Sequence, residues 1–268
     1  MVPHIDAIRP ADVLAGRQGM PPGTFLHHLP SGAWPLFVRA WGSDARMHTR
    51  DTVLPIRPDD QHVHIILGGC VSQERFLAGR EDKGPKVTRF RSAGQILSEG
   101  KLIELPAMVR TTCLTDTWIM PCSVDRMNML LRKNPDIQKA LLRSLETRNR
   151  TDELIYGTIS RTPAQRVAPP VQRVAGLLYH LARTAGVAGT PEAGAVTVAG
   201  PSQQHLADSL QMGVSTVENA LRRLREIPEE DGSSATRVLV LSKYRRFVVM
   251  DLPALHAFAR LPEHFGAF

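Results

Sequence analysis

The pattern of apolar and polar positions changes along the chain and divides it into parts. Between Thr52 and Ser123 it consists of short apolar runs separated by turn residues, namely TVLPI, HVHIILGGCV, KVTRF, GQILSEG, MVRTTCL and TWIMP. Short strands at this spacing are typical of an antiparallel barrel or sandwich. We therefore predict a jelly-roll-like β-barrel over residues 46–133. Residues 1–45 mix Pro, Gly and His without clear periodicity, and we interpret them as an extension that is laid over the barrel or partly mobile.

A long helix is predicted next, over residues 134–162. Asn134 is a good N-cap, Pro135 suits the first helical position, and Asp136 complements the helix dipole. Apolar residues then recur at helical spacing, at Ile137, Leu141, Leu145, Ile155 and Ile159. The helix itself, from about residue 135 to about residue 160, would be about 39 Å long. Its apolar seam favours pairing with a second copy of the chain, and the alternative is a helix packed only on its own barrel.

The C-terminal part has the order of a winged helix. Pro163, Pro169 and Pro170 interrupt the helical pattern and mark a domain boundary. After them come a helix (VQRVAGLLYHLARTAG), a Gly/Ala/Pro-rich connector, two helices between about Ser202 and Ile227, and a strand hairpin (RVLVLSKYRRFVVM). We predict a winged helix-turn-helix domain over residues 163–268. The whole chain is therefore α+β, with an N-terminal antiparallel barrel, a long dimerisation helix and a C-terminal winged helix-turn-helix.

The helix pair SQQHLADSLQMGVSTVENALRRL carries the pattern of a helix-turn-helix. Its apolar positions fall on both helices, at Leu206, Leu210, Val217, Leu221 and Leu224. The motif needs this pattern because the second helix must be held rigidly while its other face enters a major groove. Gln211 stands where the turn often has Gly, and Gly213 follows two residues later, so the sequence predicts a shifted turn.

The exposed face of the second helix offers groups that suit DNA. Ser215 and Asn219 can bond base edges, Glu218 can accept from a cytosine amino group, and Val214 can touch a thymine methyl. Cations that suit phosphates follow on the helix and the hairpin, at Arg222, Arg223, Arg225, Lys243, Arg245 and Arg246. The alternative is a solvated basic helix and turn in a helical packing domain.

Composition and charge agree with this assignment without deciding it. The net charge of +7 and the sequence pI near 9.8 favour a polyanionic partner. No apolar run approaches the length that spans a bilayer, and the first residues lack the pattern of a signal peptide, so we expect a cytoplasmic protein without a membrane partner. Cys70, Cys113 and Cys122 are too few and too widely spaced for a disulfide framework or a metal-ligand set, and we expect buried thiols.

One histidine pair supports an alternative of another class. His62 and His64 form an H-x-H pair on one strand, and both side chains would face inward there as metal ligands do in cupin enzymes. No Glu and His with clear ligand spacing follow downstream to complete the set. A metal-dependent cupin-type enzyme fused to a DNA-binding tail is thus one alternative function. A ligand-independent architectural DNA binder is another.

The order of parts over about residues 45–260 resembles the Crp/Fnr family. DDQHVHIILGGCV is similar to the early barrel hairpin, RSAGQILSEG to the strand and turn that enter the phosphate cassette, and RKNPDIQKALL to the start of the dimer helix. HLADSLQMGVSTVENALRRL and RFVVMDLPALHAFA resemble the DNA-binding end. The resemblance implies a homodimeric transcription regulator, not an enzyme, that binds an inverted repeat in double-stranded DNA and contacts RNA polymerase.

The family's ligand chemistry carries over poorly to this sequence. Glu99 matches the Glu that holds the ribose in cAMP-binding members, but the Arg-Ser pair that holds the phosphate falls on Leu105 and Pro106. The dimer-helix positions that face the purine hold Asp152 and Glu153, which would repel a phosphate although a carboxylate can pair with a guanine edge. Arg148 completes the candidate effector set. We therefore do not expect cAMP; the effector stays unknown, with another nucleotide or a cyclic dinucleotide as candidates.

Overall fold

The computed structural model describes residues 8–77, 86–105, 107–157, 168–188, 194–228 and 236–263. These residues form two compact units that divide between residues 150 and 151, inside the longest helix. The predicted boundary at Pro163 lies outside the described residues.

The helices and strands alternate in a mixed order along the chain. The helices are α1 (Pro10–Leu14), α2 (Phe25–His28), α3 (Trp34–Trp41), α4 (Val124–Lys133), α5 (Pro135–Tyr156), α6 (Pro170–Ala185), α7 (Gln203–Leu210), α8 (Val214–Arg225) and α9 (Leu252–Ala259). The strands are β1 (Arg46–His48), β2 (His62–Gly68), β3 (Cys70–Phe76), β4 (Lys86–Ser92), β5 (Ile96–Leu97), β6 (Val109–Cys113), β7 (Thr117–Ser123), β8 (Val187–Ala188), β9 (Val196–Ala199), β10 (Ile227–Pro228), β11 (Thr236–Arg237), β12 (Val240–Lys243) and β13 (Arg246–Val249). Short 3-10 helices span Gly42–Asp44 and Glu99–Ile103.

The N-terminal unit is built on two antiparallel sheets, one with strand order β1-β7-β2-β5 and one with order β4-β3-β6. The side chains of β2 alternate between the two faces of its sheet, and both faces are packed against other parts of the unit. Val63, Ile65 and Leu67 lie in a core shared with the helices. Ile66, on the opposite face, lies in a second core with Leu54, Val71, Leu97, Cys113 and Ile119. The predicted α+β class with antiparallel strands is thus confirmed.

Residues 10–44 contain the short helices α1, α2 and α3, whose buried side chains belong to the first core. Phe25, Phe37 and Trp41 are fully or almost fully buried, and the ring of Phe37 packs edge-on against that of Phe25. Trp34 fixes α3 to α1, because its indole Nε1 donates to the Val13 carbonyl at 2.7 Å. These helices cover the face of the first sheet that carries Val63, Ile65 and Leu67.

Helices α4 and α5 meet at Asn134. The Asn134 side-chain amide donates to the Leu130 carbonyl at 2.9 Å, which closes α4, and its backbone carbonyl accepts from Ile137 N–H at 3.0 Å in the first turn of α5. Helix α5 has 22 residues and begins at Pro135, as the sequence predicts.

The buried face of α5 differs from the dimer seam that the sequence predicts. Ile137 and Leu141 are buried in the core of their own unit, together with Ala140. The prediction that Leu141 lies at a dimer interface is therefore wrong, because the alternative, packing on the chain's own sheet, takes up this side chain. Leu142, the next residue, is 59% exposed.

The C-terminal unit is assembled around α6. Every residue of α6 from Val171 to Ala182 is buried, since α8 and α9 pack on it. Four strands form another antiparallel sheet with the order β12-β13-β9-β8. Strands β8 and β9 lie in the region that the sequence assigns to a connector, where Val196 and Val198 point into the unit at strand spacing.

Candidate nucleic-acid interface

Helices α7 and α8 form the predicted helix-turn-helix, and α7 begins with a reciprocal cap. The Ser202 hydroxyl accepts from His205 N–H at 3.2 Å, while His205 Nδ1 accepts from Ser202 N–H at 3.2 Å. This capping box satisfies two backbone donors at the helix start. Leu206 and Leu210 are fully buried below it.

The turn between the two helices has the usual helix-ending geometry. Gln211 adopts the left-handed conformation, with φ 53° and ψ 51°. Its N–H donates to the Asp208 carbonyl at 3.4 Å, and Met212 N–H donates to the Ala207 carbonyl at 3.0 Å, which is a Schellman motif. The predicted shift of the turn is therefore wrong. Gln takes the position that glycine usually fills, and Gly213 serves as the N-cap of α8.

A buried arginine braces this turn from α6. Arg173 Nη2 donates to the Leu210 carbonyl at 2.7 Å, and the side chain is almost fully buried. Leu210 carries one of the last α7 carbonyls, which have no partner within the helix. Burial lowers the pKa of Arg173, which still stays charged at any physiological pH. The sequence alone gives no signal for this contact between residues far apart in the chain.

Helix α8 separates an inner apolar face from an outer polar face. The inner face consists of Val217, Ala220, Leu221 and Leu224, all buried. On the outer face Ser215, Glu218 and Asn219 are exposed, and Val214 is half-buried at the helix start. With 12 residues the helix is about 18 Å long, a length that fits within a major groove. The structure thus places all four predicted base-reading residues on one solvent-facing surface.

The predicted phosphate-binding cations occupy the end of α8 and the hairpin of β12 and β13. Arg222, Arg223 and Arg225 are exposed on α8. Lys243 and Arg246 face each other across the hairpin, next to its two-residue tip, and both are exposed. We define Lys243, Tyr244, Arg245 and Arg246 as the wing tip.

Two hydrogen bonds join the wing to the helix pair, and a third joins it to the end of β9. Leu239 N–H donates to the Leu224 carbonyl at 2.9 Å, which joins the start of the hairpin to the end of α8. Gln203 Nε2 donates to Ser242 Oγ at 3.3 Å, which joins β12 to α7. Gly200 N–H donates to the Arg245 carbonyl at 3.0 Å, which anchors the tip to β9. The wing and α8 therefore belong to one compact unit.

The candidate effector residues Glu99 and Arg148 meet in the N-terminal unit. Arg148 Nη2 of α5 forms a salt bridge with Glu99 Oε1, and Arg148 Nη1 donates to the Ile96 carbonyl at 3.3 Å. Burial alone would raise the pKa of Glu99. The charge and hydrogen bond of Arg148, a backbone hydrogen bond and, last, the charge of Arg91 together outweigh burial and hold the pKa of Glu99 below its usual value. Glu99 is thus a charged carboxylate that a cation of the same chain already neutralises.

Sequence reasoning missed Arg91. It is an arginine on β4 with only 6% of its surface exposed, and Arg91 Nη1 donates to the Phe90 carbonyl at 2.9 Å. A buried cation that acts electrostatically on Glu99 belongs to the candidate effector site. Its only sequence signal is a charged residue at an alternate, inward-facing position of a strand.

The other candidate effector residues lie at Leu105, at Pro106 and near the end of α5. Leu105 is 68% exposed and follows Glu104, which has a left-handed backbone conformation. Pro106 lies outside the described residues. Asp152 is half-buried and Glu153 is exposed near the end of α5, in the part of the helix that belongs to the second unit.

The H-x-H pair is not gathered into a metal site. The His62 and His64 ring centroids are 6.4 Å apart, and burial lowers the pKa of His64 to about 4, so that this ring is neutral at neutral pH. Their neighbour Asp60 is bound at 2.5 Å to the buried Lys101 ammonium. Within the described ranges, no three His, Cys, Asp or Glu side chains lie close enough to hold a metal ion.

The cysteines are buried free thiols, as predicted. Burial raises the pKa of Cys70 to about 12 and raises the pKa of Cys122 further, so neither is a reactive thiolate at neutral pH. Among the helices that the structure describes, none has the length and hydropathy needed to cross a membrane.

Known structures share this architecture. A CRP-family transcriptional regulator from Thermus thermophilus is 18% identical over 82% of this chain and 99% of its own, with a TM-score of 0.59. A CRP/FNR-family regulator from the same organism is 20% identical, covering 81% and 98%, with a TM-score of 0.56. FixK2 from Bradyrhizobium japonicum is 18% identical, covering 80% and 96%, with a TM-score of 0.57. Neither a family model nor a curated sequence matches the chain. The protein therefore has the fold of the CRP/FNR-family transcriptional regulators.

Proposed function

We propose that this protein is a homodimeric transcription regulator of the Crp/Fnr type that binds a specific sequence in double-stranded DNA. The observation that carries the proposal is the two-faced α8. Val217, Leu221 and Leu224 anchor it, while Ser215 and Asn219 point to solvent with their hydrogen-bonding groups available. A helix held in this way beside an exposed basic wing is the arrangement that reads a major groove.

The DNA-binding residues divide into those that contact base edges and those that contact phosphates. Ser215, Glu218 and Asn219 bond base edges near the start of α8, and Val214 contacts a thymine methyl. The cations at the end of α8 and on the wing bind phosphates, which position the unit without reading sequence: Arg222, Arg223, Lys243, Arg245 and Arg246. Phosphate contacts of this kind make affinity fall steeply with salt.

We expect a homodimer with two recognition helices, one from each copy of the chain. A homodimer presents its base-contacting residues to two half-sites, so we expect an inverted repeat with half-sites about 10 base pairs apart. On the described part of α5, the exposed apolar side chain is Leu142, and we propose it as the dimer contact in place of Leu141. A regulator of this kind acts in the cytoplasm, where DNA and RNA polymerase, its second expected partner, are found.

The N-terminal unit provides the sensor, and the Glu99–Arg148 pair limits its ligands. A cyclic nucleotide would have to compete with Arg148 for Glu99, and exposed Leu105 supplies no group for its phosphate. We therefore propose that cAMP is not the effector. The same pair favours a second candidate function, a ligand-independent DNA binder, because an internal guanidinium already satisfies the Glu99 carboxylate.

Selection of DNA from a random duplex library by the purified full chain tests the proposal. The expected result is an enriched inverted repeat, bound by one dimer, whose affinity falls with salt. The matched control is Leu221→Asp, which puts a charge on the buried face of α8 and should abolish enrichment. A library that stays random with folded wild-type protein contradicts the function.

A second experiment separates a ligand-dependent regulator from a ligand-independent DNA binder. The melting temperature of the protein is measured with and without nucleotides and cyclic dinucleotides, because a ligand that binds the folded state raises the melting temperature.

A further inference from the structure

The wing tip carries an aromatic side chain that the fold does not use. Tyr244 is 88% exposed, the most exposed of the large apolar residues that the structure describes. Tyrosine buries a large apolar surface when it meets a partner, and an exposed one contributes almost nothing to folding. Its ring is thus available for contact with another molecule.

Backbone hydrogen bonds hold the turn that carries this ring. The register pairs Lys243 with Arg246, so Tyr244 and Arg245 form the two-residue turn. Arg245 has a φ of 50°, a left-handed conformation that an L-residue adopts at a cost. The Gly200 N–H bond to the Arg245 carbonyl then ties the turn to β9. A tip anchored in this way presents its aromatic side chain without a large ordering cost on binding.

The charges around the ring indicate the partner. Lys243 and Arg246 are exposed on either side, and the Arg245 guanidinium lies 5.8 Å from the centre of the Tyr244 ring. An aromatic ring among three cations suits a polyanion that also offers apolar surface. The sugar and base edges inside a DNA groove provide that surface, and the phosphates along its rims provide the charge.

We propose that Tyr244 inserts into the minor groove of DNA beside each half-site. The inference rests on the proposed function, because it takes α8 to lie in the neighbouring major groove. The wing is joined to both ends of the helix pair, through Leu239 and Gln203, so its tip meets the duplex next to the α8 site, across the phosphate rim. There the ring packs on the sugars, and its hydroxyl reaches the acceptors that A·T pairs present.

This placement adds recognition of the flanking sequence to that of the half-site. A minor groove rich in A·T is narrow and carries no guanine amino group, which favours close packing of the ring between its walls. The protein should therefore prefer A·T pairs in the flank that the tip touches, outside the positions that α8 reads. Removing the ring should remove this preference and leave the base preference under α8 unchanged.

The test uses the full chain, the duplex it selects, and the same duplex with G·C flanks. Tyr244→Ala should bind the A·T-flanked duplex at least about fivefold more weakly and no longer distinguish the flanks, whereas Tyr244→Phe, which keeps the ring, should retain most of the affinity. Lys243→Ala is the matched control, since losing a phosphate contact should weaken both duplexes alike. Melting temperatures should not change, because Tyr244 is exposed.

Each outcome separates this inference from the function on which it rests. If wild-type protein selects no duplex, the proposed function fails first. If the wild type selects a site and Tyr244→Ala binds both flanks with wild-type affinities, the minor-groove contact is wrong. If Tyr244→Ala binds DNA normally but loses transcription with purified RNA polymerase, the ring contacts protein, and the minor-groove proposal is overturned.

Discussion

Removing Arg148 should show how far the Glu99 carboxylate contributes to stability through its salt bridge with this arginine. In the wild type the Arg148 side chain is 14% exposed and that of Glu99 is 26% exposed, so water screens the pair only in part. Arg148→Met keeps most of the aliphatic length and deletes the guanidinium. It leaves Glu99 desolvated and also removes the bond to the Ile96 carbonyl. A charge-assisted hydrogen bond contributes about 1.5 to 3 kcal/mol, and with the residual exposure we expect the unfolding free energy to fall by about 2 kcal/mol at pH 7.

The pH dependence of this loss identifies its cause. The pKa of Glu99 is depressed in the folded wild type, so its stabilising contribution is present above the unfolded value near 4.5 and is lost as the pH falls through the folded pKa. Without Arg148, we expect burial to dominate and to raise the pKa of Glu99 above its unfolded value, so that protonation of Glu99 reduces the destabilisation of the variant as the pH falls. The difference in stability between wild type and variant should therefore be largest at neutral pH and should shrink toward pH 4.

Urea unfolding of both proteins at pH 7 and pH 4 measures this difference directly. The matched control is Arg150→Met, whose ion pair with Glu146 is more than half exposed on both sides and should change stability little at either pH. An equal loss for Arg148→Met at both pH values would show that the side chain acts through packing. No loss at all would refute the ion pair.

Three further predictions follow from particular positions. Leu141→Asp should unfold the N-terminal unit, because the Leu141 side chain lies in its core. Leu142→Asp should stay folded and sediment as a monomer, because Leu142 is exposed. A folded Leu141→Asp chain or a dimeric Leu142→Asp chain contradicts the assignment. Gln211→Gly should stabilise the protein by about 1 kcal/mol in thermal unfolding, because glycine adopts the left-handed conformation without strain, and a lower melting temperature would disprove this origin. Calorimetry with cAMP should show no binding at micromolar concentration, since Leu105 offers no phosphate ligand, and heat that disappears in Glu99→Gln would overturn the prediction.

The helix-turn-helix was predictable because its signals are local. Buried and exposed positions of α8 follow the 3.6-residue period, and Ser202 precedes α7 as a capping residue. The period alone did not resolve α5, where Leu141 and Leu142 are neighbours and only packing against the first sheet decides which one is buried. The exposure of Leu142 could therefore be recognised only from the structure.

Other features depend on contacts that no local pattern encodes. Helices α1 to α3 are short, and Pro and Gly residues lie between them. Isolated helices of this length are unstable in water, so the packing of Phe25 and Phe37 in the core stabilises them more than helix propensity does. The Glu99–Arg148 salt bridge joins residues 49 positions apart. At Gln211 the statistical preference for glycine misled the prediction, since the surrounding bonds hold a glutamine in the same conformation.

A matrix of affinities tests the central claim that α8 reads the DNA sequence. Wild type, Glu218→Ala, Asn219→Ala and Arg246→Ala would each be titrated on the selected duplex and on every single-base variant of one half-site. The α8 variants should each lose about 1 to 3 kcal/mol of discrimination at one base pair, while Arg246→Ala should weaken all duplexes alike and lower the salt slope by about one. Unchanged base preference in both α8 variants, together with an altered preference in Arg246→Ala, would contradict the account.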